Sequence, residues 1–561
     1  MKHWIVLAII VLLGASAIVV SERRKVDVTA SPAALLYLVA DTERELTRMP
    51  VSFTRMSDQD EIQIGDQLAA SYAFEDPDKR DPDNEEVKRY LTEVGLRVAE
   101  HAHRKLPYRF HYIPDKYFVN AFALPGGHVY VGAGLLSLMD SEDELAAVIG
   151  HEIEHIDHYH CAERVQQEQA LHRIPLGELI ALPVEVFEAG YSKDQEMEAD
   201  REGTRLAVAA GYSANGAIRM FEAFQRLYDE YLNPAKSPQQ ELSQVAMQTI
   251  EGYFRSHPLP SERIAQVHTL IASEGWPLRS ERDLAIGYIF WTAKAKYALD
   301  ARKYQQAQQL ATQSLKVKPG QAAALSVLAQ AQFAQADFSQ AAASYRKLLD
   351  LGWSANVADA YALSLAAANP RTAAAEFRQW MASAKGDTRD LQVPLAGLAL
   401  LSEDSGPAKA AVAAARTHDD LGQWLGKLGW WFYLAGDYPT ASNLLGDAVQ
   451  LRPDDARVRQ RLAWAWIEQH RLADALQVLG DSGAYDSTSQ HEKEMARSVA
   501  RWQAEEHDAA LADFSAAVSG QPEWDNPAWV KALYSPTVAR SIQQMQTETE
   551  RRRKALAAKT H

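Results

Sequence analysis

The feature that most constrains this chain is a recurrence of alanine. Ala307, Ala341 and Ala375 stand 34 residues apart, and Ala441, Ala475 and Ala509 repeat that step. Between the two series, one unit around residues 407–410 is two residues short. Two stretches can be laid on each other: YQQAQQLATQSLKVKP from Tyr304 and YPTASNLLGDAVQLRP from Tyr438. Each carries alanine three positions in and ends in proline. A period of this length fits a pair of helices that buries its apolar face by stacking on the next pair. An irregular alanine-rich helical bundle is the plainer alternative.

The LGWWF stretch (residues 428–432) supplies the Leu-Gly and aromatic positions of a first helix. With the period, it resembles the tetratricopeptide repeat. That resemblance implies an all-α superhelix over residues 285–525, with a concave face whose role is binding. Residues 526–561 read as a charged helical tail, frayed toward its end and exposed at residues 551–554.

A chain of 561 residues exceeds one core, and 47% hydrophobic with 24% charged residues is an ordinary globular mixture. The net charge of −16 argues against nucleic acid, which needs a basic face. A single cysteine, Cys161, excludes an intrachain disulfide. At the amino terminus Lys2 precedes an apolar run over residues 4–20, with Ala15, Ser16 and Ala17 in small-x-small order and Arg23, Arg24 and Lys25 following. Residues 1–20 therefore read as a signal peptide or a membrane anchor, and export is the favoured outcome. Residues 21–59 read as a connector.

GHEIEH (residues 150–155) sets His151 and His155 four apart, with Glu152 after the first. Ser141 followed by Glu144 is a capping-box pattern, so a helix starts there and carries the motif. Its histidines then lie one turn apart on one face, as two imidazoles sharing a tetrahedral ion require. Leu145, Ile149, Ile153 and Ile156 form a stripe roughly opposite, so the helix packs apolar side down. A catalytic zinc needs a third protein ligand. YSKDQEMEADREG (residues 191–203) offers Glu196 and Asp200 on one helical face, with Glu198 pointing almost oppositely. Glu196 is read as the ligand and Asp200 as the acceptor for the free ring nitrogen of His151. The alternative is that these acids only solvate a helix. His158 reads as solvent-facing, His160, His101 and His103 have no spaced partners, and Cys161 reads as packing.

Four ordered stretches, NAFALPGGHVYV (residues 120–131), HEIEH, YSKDQEMEAD (residues 191–200) and SHPLPSER (residues 256–263), resemble the gluzincin peptidases of the HtpX and CAAX prenyl protease group. The periplasmic BepA-like branch is most similar, because repeats follow the protease domain there too. The resemblance covers about residues 60–275 and implies an α+β zincin-type domain over residues 60–278, mostly helical with a small sheet. It implies one zinc per chain on His151, His155 and Glu196, with Glu152 as general base and then proton donor. His257 corresponds to a removable zinc ligand and Arg263 to the basic residue after it, either of which helps stabilise the oxyanion. Asn120, Ala121, Phe122 and Ala123 correspond to an edge strand lining the substrate cleft, where an extended peptide adds by main-chain hydrogen bonds. Lys193 departs from the arginine usual in relatives and loses the planar fork.

The expected activity is thus zinc-dependent hydrolysis of peptide bonds in proteins, in periplasmic quality control or outer-membrane protein assembly. Misfolded outer-membrane proteins are the implied substrates, with partner proteins on the repeats, a possible inner-membrane association and no nucleic acid. The competing expectation is a chaperone-like repeat scaffold in which the zinc domain is latent. Residues 173–190, apolar but broken by Pro175 and Pro183, are expected to cover the site.

Overall fold

The computed structural model describes residues 56–72, 81–172, 187, 191–232, 260–277, 279–352, 354–385, 388–402, 406–415, 420–480 and 487–557. The apolar segment 1–20, the connector to residue 55, nearly all of the expected cover and His257 lie outside these residues. Two compact units divide the chain, Met1–Phe290 and Trp291–His561. No helix among the described residues is long and apolar enough to cross a membrane.

In the first unit, helices α1 (Asp58–Ser71) and α2 (Pro82–Ala99) precede a sheet of β1 (Arg109–Ile113), β2 (Ala121–Leu124) and β3 (His128–Gly132). Sheet order is β1-β3-β2, with β1 parallel and β2 antiparallel to β3. β2 is therefore an edge strand, entered from Asn120. The turn into β3 uses Gly126 at φ 75°, and a Cβ there would lie 2.6 Å from Ile62 Cα. Only glycine fits that approach. Buried Glu61 pins the same turn, accepting Gly126 N at 3.2 Å and Arg104 Nη2 at 2.6 Å, while Arg104 Nη1 donates to Ile156 O at 2.6 Å.

The central helix α3 (Glu142–Asp157) starts at the expected capping box, with Ser141 Oγ accepting Glu144 N and Glu144 Oε2 accepting Ser141 N. Leu145, Ile149, Ile153 and Ile156 are all fully buried in the main core. After α3, Tyr159 at φ 63° reverses the chain into α4 (His160–His172). α5 (Lys193–Ala209), capped by Ser192 with Gln195, packs on α3, and α6 (Asn215–Leu232) and α7 (Pro260–Glu274) follow. α3 and α5 cross through Gly150 and Gly203, where a Cβ on Gly203 would meet His151 N at 2.5 Å.

Among its described residues the second unit contains helices and no strand. Seven helix pairs follow one another among the described residues, from α8 (Gly287–Asp300) with α9 (Tyr304–Val317) to α20 (Ser487–Gln503) with α21 (His507–Gly520). The alanine recurrence has a simple meaning: Ala307, Ala341, Ala373, Ala408, Ala441, Ala475 and Ala510 are fully buried near the start of each second helix. Ala375 is exposed and Ala509 half-buried, so the strict 34-residue step misplaces two units. In the first case Pro370, capped by Asn369, starts its helix early and moves the buried position two residues back. The closing helix Pro536–Ala557 is amphipathic. Val538, Ile542 and Met545 pack into the core, whereas residues 551–555 are exposed.

Candidate metal centre

His151, His155 and Glu196 present three buried donor atoms that all lie within 4.8 Å of one another. His151 Nε2 is 3.1 Å from His155 Nε2 and 3.4 Å from Glu196 Oε2, and His155 Nε2 is 3.6 Å from Glu196 Oε1. A tetrahedral zinc with bonds of 2.0–2.1 Å spaces its ligands about 3.3 Å apart. The donor set and its spacing therefore fit zinc. The remaining ring nitrogens face outward: His151 Nδ1 is 2.9 Å from Asp200 Oδ1 and His155 Nδ1 is 3.0 Å from His160 Nδ1.

Charge points the same way. Burial works against a charged His151, yet the Asp200 and Glu196 carboxylates hold its imidazole up at about 10. A buried group of carboxylates thus keeps a cation beside it, which is the role a metal would take over. Burial raises the Asp200 carboxyl, but Arg263 and His151 outweigh it and hold it below its usual range. Glu152, also buried, is pushed up to about 7 by desolvation.

Arg263 is engaged with Asp200 on two sides, Nε donating to Oδ2 at 2.7 Å and Nη2 to Oδ1, and its guanidinium lies 4.2 Å from the Phe221 ring. Lys193, where an arginine was expected, is buried and pairs through Nζ with Glu262 Oε2 at 2.7 Å at the start of α7. Asn120 and Ala121 line a small cavity of about 30 Å³ together with His151, Glu152, Asp200 and Arg263, closed by Leu135, Met220, Phe221 and Phe224. Phe122 does not line it; alternation along β2 turns that ring onto Tyr130, stacked at 4.8 Å. Ala123 is absent from the lining as well, and its carbonyl accepts Cys161 Sγ at 3.6 Å. His158 pairs with Glu154 at 2.5 Å.

His160 is the residue that sequence reasoning passed over. Its spacing from His155 fits no helical face, because Tyr159 reverses the backbone between them. A histidine just after a non-helical residue behind the motif was the available signal.

A zincin-type domain with a His-His-Glu centre, joined to stacked helix pairs, defines a class that the comparisons place more narrowly. Residues 85–271 match the model described as Peptidase family M48, and residues 292–356 and 432–491 each match a model described as Tetratricopeptide repeat. The chain therefore carries a peptidase M48 domain followed by tetratricopeptide repeats. It is 25% identical over 315 residues to the beta-barrel assembly-enhancing protease of Escherichia coli K12, covering 47% of this chain and 61% of that one. A Vibrio cholerae protein of similar description is 34% identical over 201 residues, covering 32% and 38%. The mitochondrial metalloendopeptidase OMA1 of Arabidopsis thaliana is 33% identical over 117 residues, covering 19% and 24%. The chain spans less than two thirds of the length of each.

Proposed function

We propose that the protein is a zinc-dependent endopeptidase acting on protein substrates in the cell envelope, in quality control or outer-membrane protein assembly. The reading rests chiefly on one observation: three donors spaced for zinc, with a further carboxyl group, Glu152, buried beside them on the same cavity. Bound zinc would supply Lewis-acid activation of water and of the scissile carbonyl. The chain's own groups do the rest. Glu152 takes the proton from the attacking water and returns it to the leaving amine. Asp200 holds His151 in one tautomer, and Arg263 holds Asp200. The edge of β2 offers main-chain groups to an extended peptide.

The repeats are proposed to hold clients or partners. Two cavities of about 440 and 240 Å³ share Leu363, Trp430, Arg457 and Arg461. Trp430 stacks on Tyr433 at 4.7 Å, and the Arg461 guanidinium lies 5.4 Å from the Trp430 ring. Aromatic faces beside guanidinium groups suit an extended segment with apolar and acidic side chains. The periplasm is the proposed location, supported by the apolar run at residues 4–20 and by the names of the bacterial relatives.

The deciding experiment compares wild type with Glu152→Gln in cleavage of an unfolded protein and in zinc content. The expected result is a loss of cleavage of about 10²–10⁴-fold with zinc retained. Undiminished cleavage by the variant would refute the mechanism, and a wild type that binds client without ever cleaving it would favour a scaffold.

A further inference from the structure

The second metal-facing histidine has a support of its own, built from residues with no assigned role. His155 turns Nε2 toward His151 and Glu196, and its Nδ1 lies 3.0 Å from His160 Nδ1. His160 Nε2 in turn lies 3.3 Å from Glu198 Oε2. Both imidazoles are buried, so no bulk water competes for the contact between them. Tyr191 stacks on the His155 ring at 4.0 Å and 19°, which fixes its plane.

The protons along this row admit one assignment. A neutral imidazole that gives its Nε2 lone pair to a cation carries its proton on Nδ1. His155 Nδ1–H then donates, so His160 Nδ1 must accept. The His160 proton is consequently on Nε2, where it donates to the Glu198 carboxylate, an acceptor only. The opposite tautomer of His160 would set two N–H groups face to face at Nδ1 and leave a lone pair against a carboxylate.

Resting on the reading of His151, His155 and Glu196 as metal ligands, we infer that His160 is a positioning residue for His155, with Glu198 fixing its tautomer. The arrangement parallels Asp200 behind His151, with a histidine interposed. One helix, α5, serves both ligands from two faces. Glu196 and Asp200 meet the centre on one side, and Glu198, nearly opposite on the helix, meets it through His160. Outer partners of this kind raise ligand basicity and hold ring orientation, and their removal typically weakens metal affinity about 10–100-fold.

The test measures zinc affinity of the full chain by competition with a chromophoric chelator, together with the melting temperature of the zinc-free protein. His160→Phe keeps the ring and removes the acceptor, and is expected to weaken zinc binding about 10–100-fold. His160→Asn places an amide oxygen near the Nδ1 position and is expected to restore most of the affinity, which a role in packing alone would not predict. Glu198→Ala, a change at the solvent end of the row, is expected to weaken binding about 10-fold at an unchanged zinc-free melting temperature. Zinc affinity within about twofold of wild type in both His160→Phe and Glu198→Ala would overturn the inference, on a scale where ordinary partners matter tenfold. His155→Ala and Glu196→Gln separate the two layers of the argument. If they also retain zinc, the ligand assignment has failed; if they lose it while His160→Phe and Glu198→Ala do not, only the positioning role has.

Discussion

Arg263 and His151 share one carboxylate: Asp200 Oδ1 receives His151 Nδ1 at 2.9 Å, and Oδ2 receives Arg263 Nε at 2.7 Å. A residue of α7 is thereby tied to the imidazole of the proposed ligand His151 on α3, both through that carboxylate and through its own Nη2, 3.4 Å from His151 Nδ1. Arg263→Lys keeps the charge and loses the two-point grip. Zinc affinity is expected to fall about 10-fold, with the helical content intact. An unchanged zinc dissociation constant would remove Arg263 from this role and return it to the cleft.

Gly203 faces the main chain of α3, and a methyl there would sit 2.5 Å from His151 N and 2.6 Å from Gly150 C. Neither atom belongs to a flexible side chain, so Gly203→Ala must push α5 away from α3. Overpacking of this sort costs about 1–3 kcal/mol. The variant is expected to melt earlier and to lose zinc more readily than the stability change alone explains, because the His pair and Glu196 sit on the separated helices. Zinc content after gel filtration, set beside the melting curve, checks it.

The sheet carries a second histidine pair. His111 Nε2 lies 2.9 Å from His128 Nδ1, whose Nε2 reaches Asp66 at 2.9 Å, and His111 stacks on Tyr130 at 4.4 Å. Burial, with the nearby His128 and Arg109, lowers His111 to about 4. An unfolded histidine titrates near pH 6.5. Between those values the unfolded chain takes up a proton that the folded one refuses, so this contribution is full above about pH 6.5 and is lost as the pH falls toward 4. Urea midpoints at pH 7 and pH 5 should therefore differ less in His111→Gln than in wild type.

In the repeats, Trp430→Ala and Arg461→Ala remove two of the four residues common to both cavities. Client retention is expected to weaken about 10-fold or more, as for a central aromatic or arginine anchor. Cleavage of a short peptide should stay within about twofold, well under the effect of losing such an anchor. Equal losses in both assays would mean that the substitution damages the fold and not a docking surface.

Where local periodicity carries the information, the chain was readable. The capping box at Ser141, the apolar stripe from Leu145 to Ile156 and the pairing of Glu196 with Asp200 all follow from 3.6 residues per turn. His160 escaped for the converse reason, since one left-handed residue, Tyr159, breaks that periodicity and folds the next turn back on His155. Glu198 looked superfluous because its partner was unknown. The repeats show the same limit on a larger scale. Alanine at the close approach of two helices is dictated by packing, but the count between such alanines depends on where each helix is capped, as Asn369 and Pro370 show. Arg263 was visible as a residue, while its engagement with Asp200 depends on a fold that brings α7 back to α5.

The glycine crossing of α3 and α5 bears on which cation the centre accepts. With Gly150 and Gly203 in backbone contact, the distance between the histidine pair and Glu196 is fixed by the main chain. The bite of the site has little room to widen. A cation whose bonds are much longer than zinc's would have to find its space by turning side chains, and the imidazole of His151 is already anchored by Asp200. On the proposed ligand set, ion size would thus be filtered by how closely two helices touch.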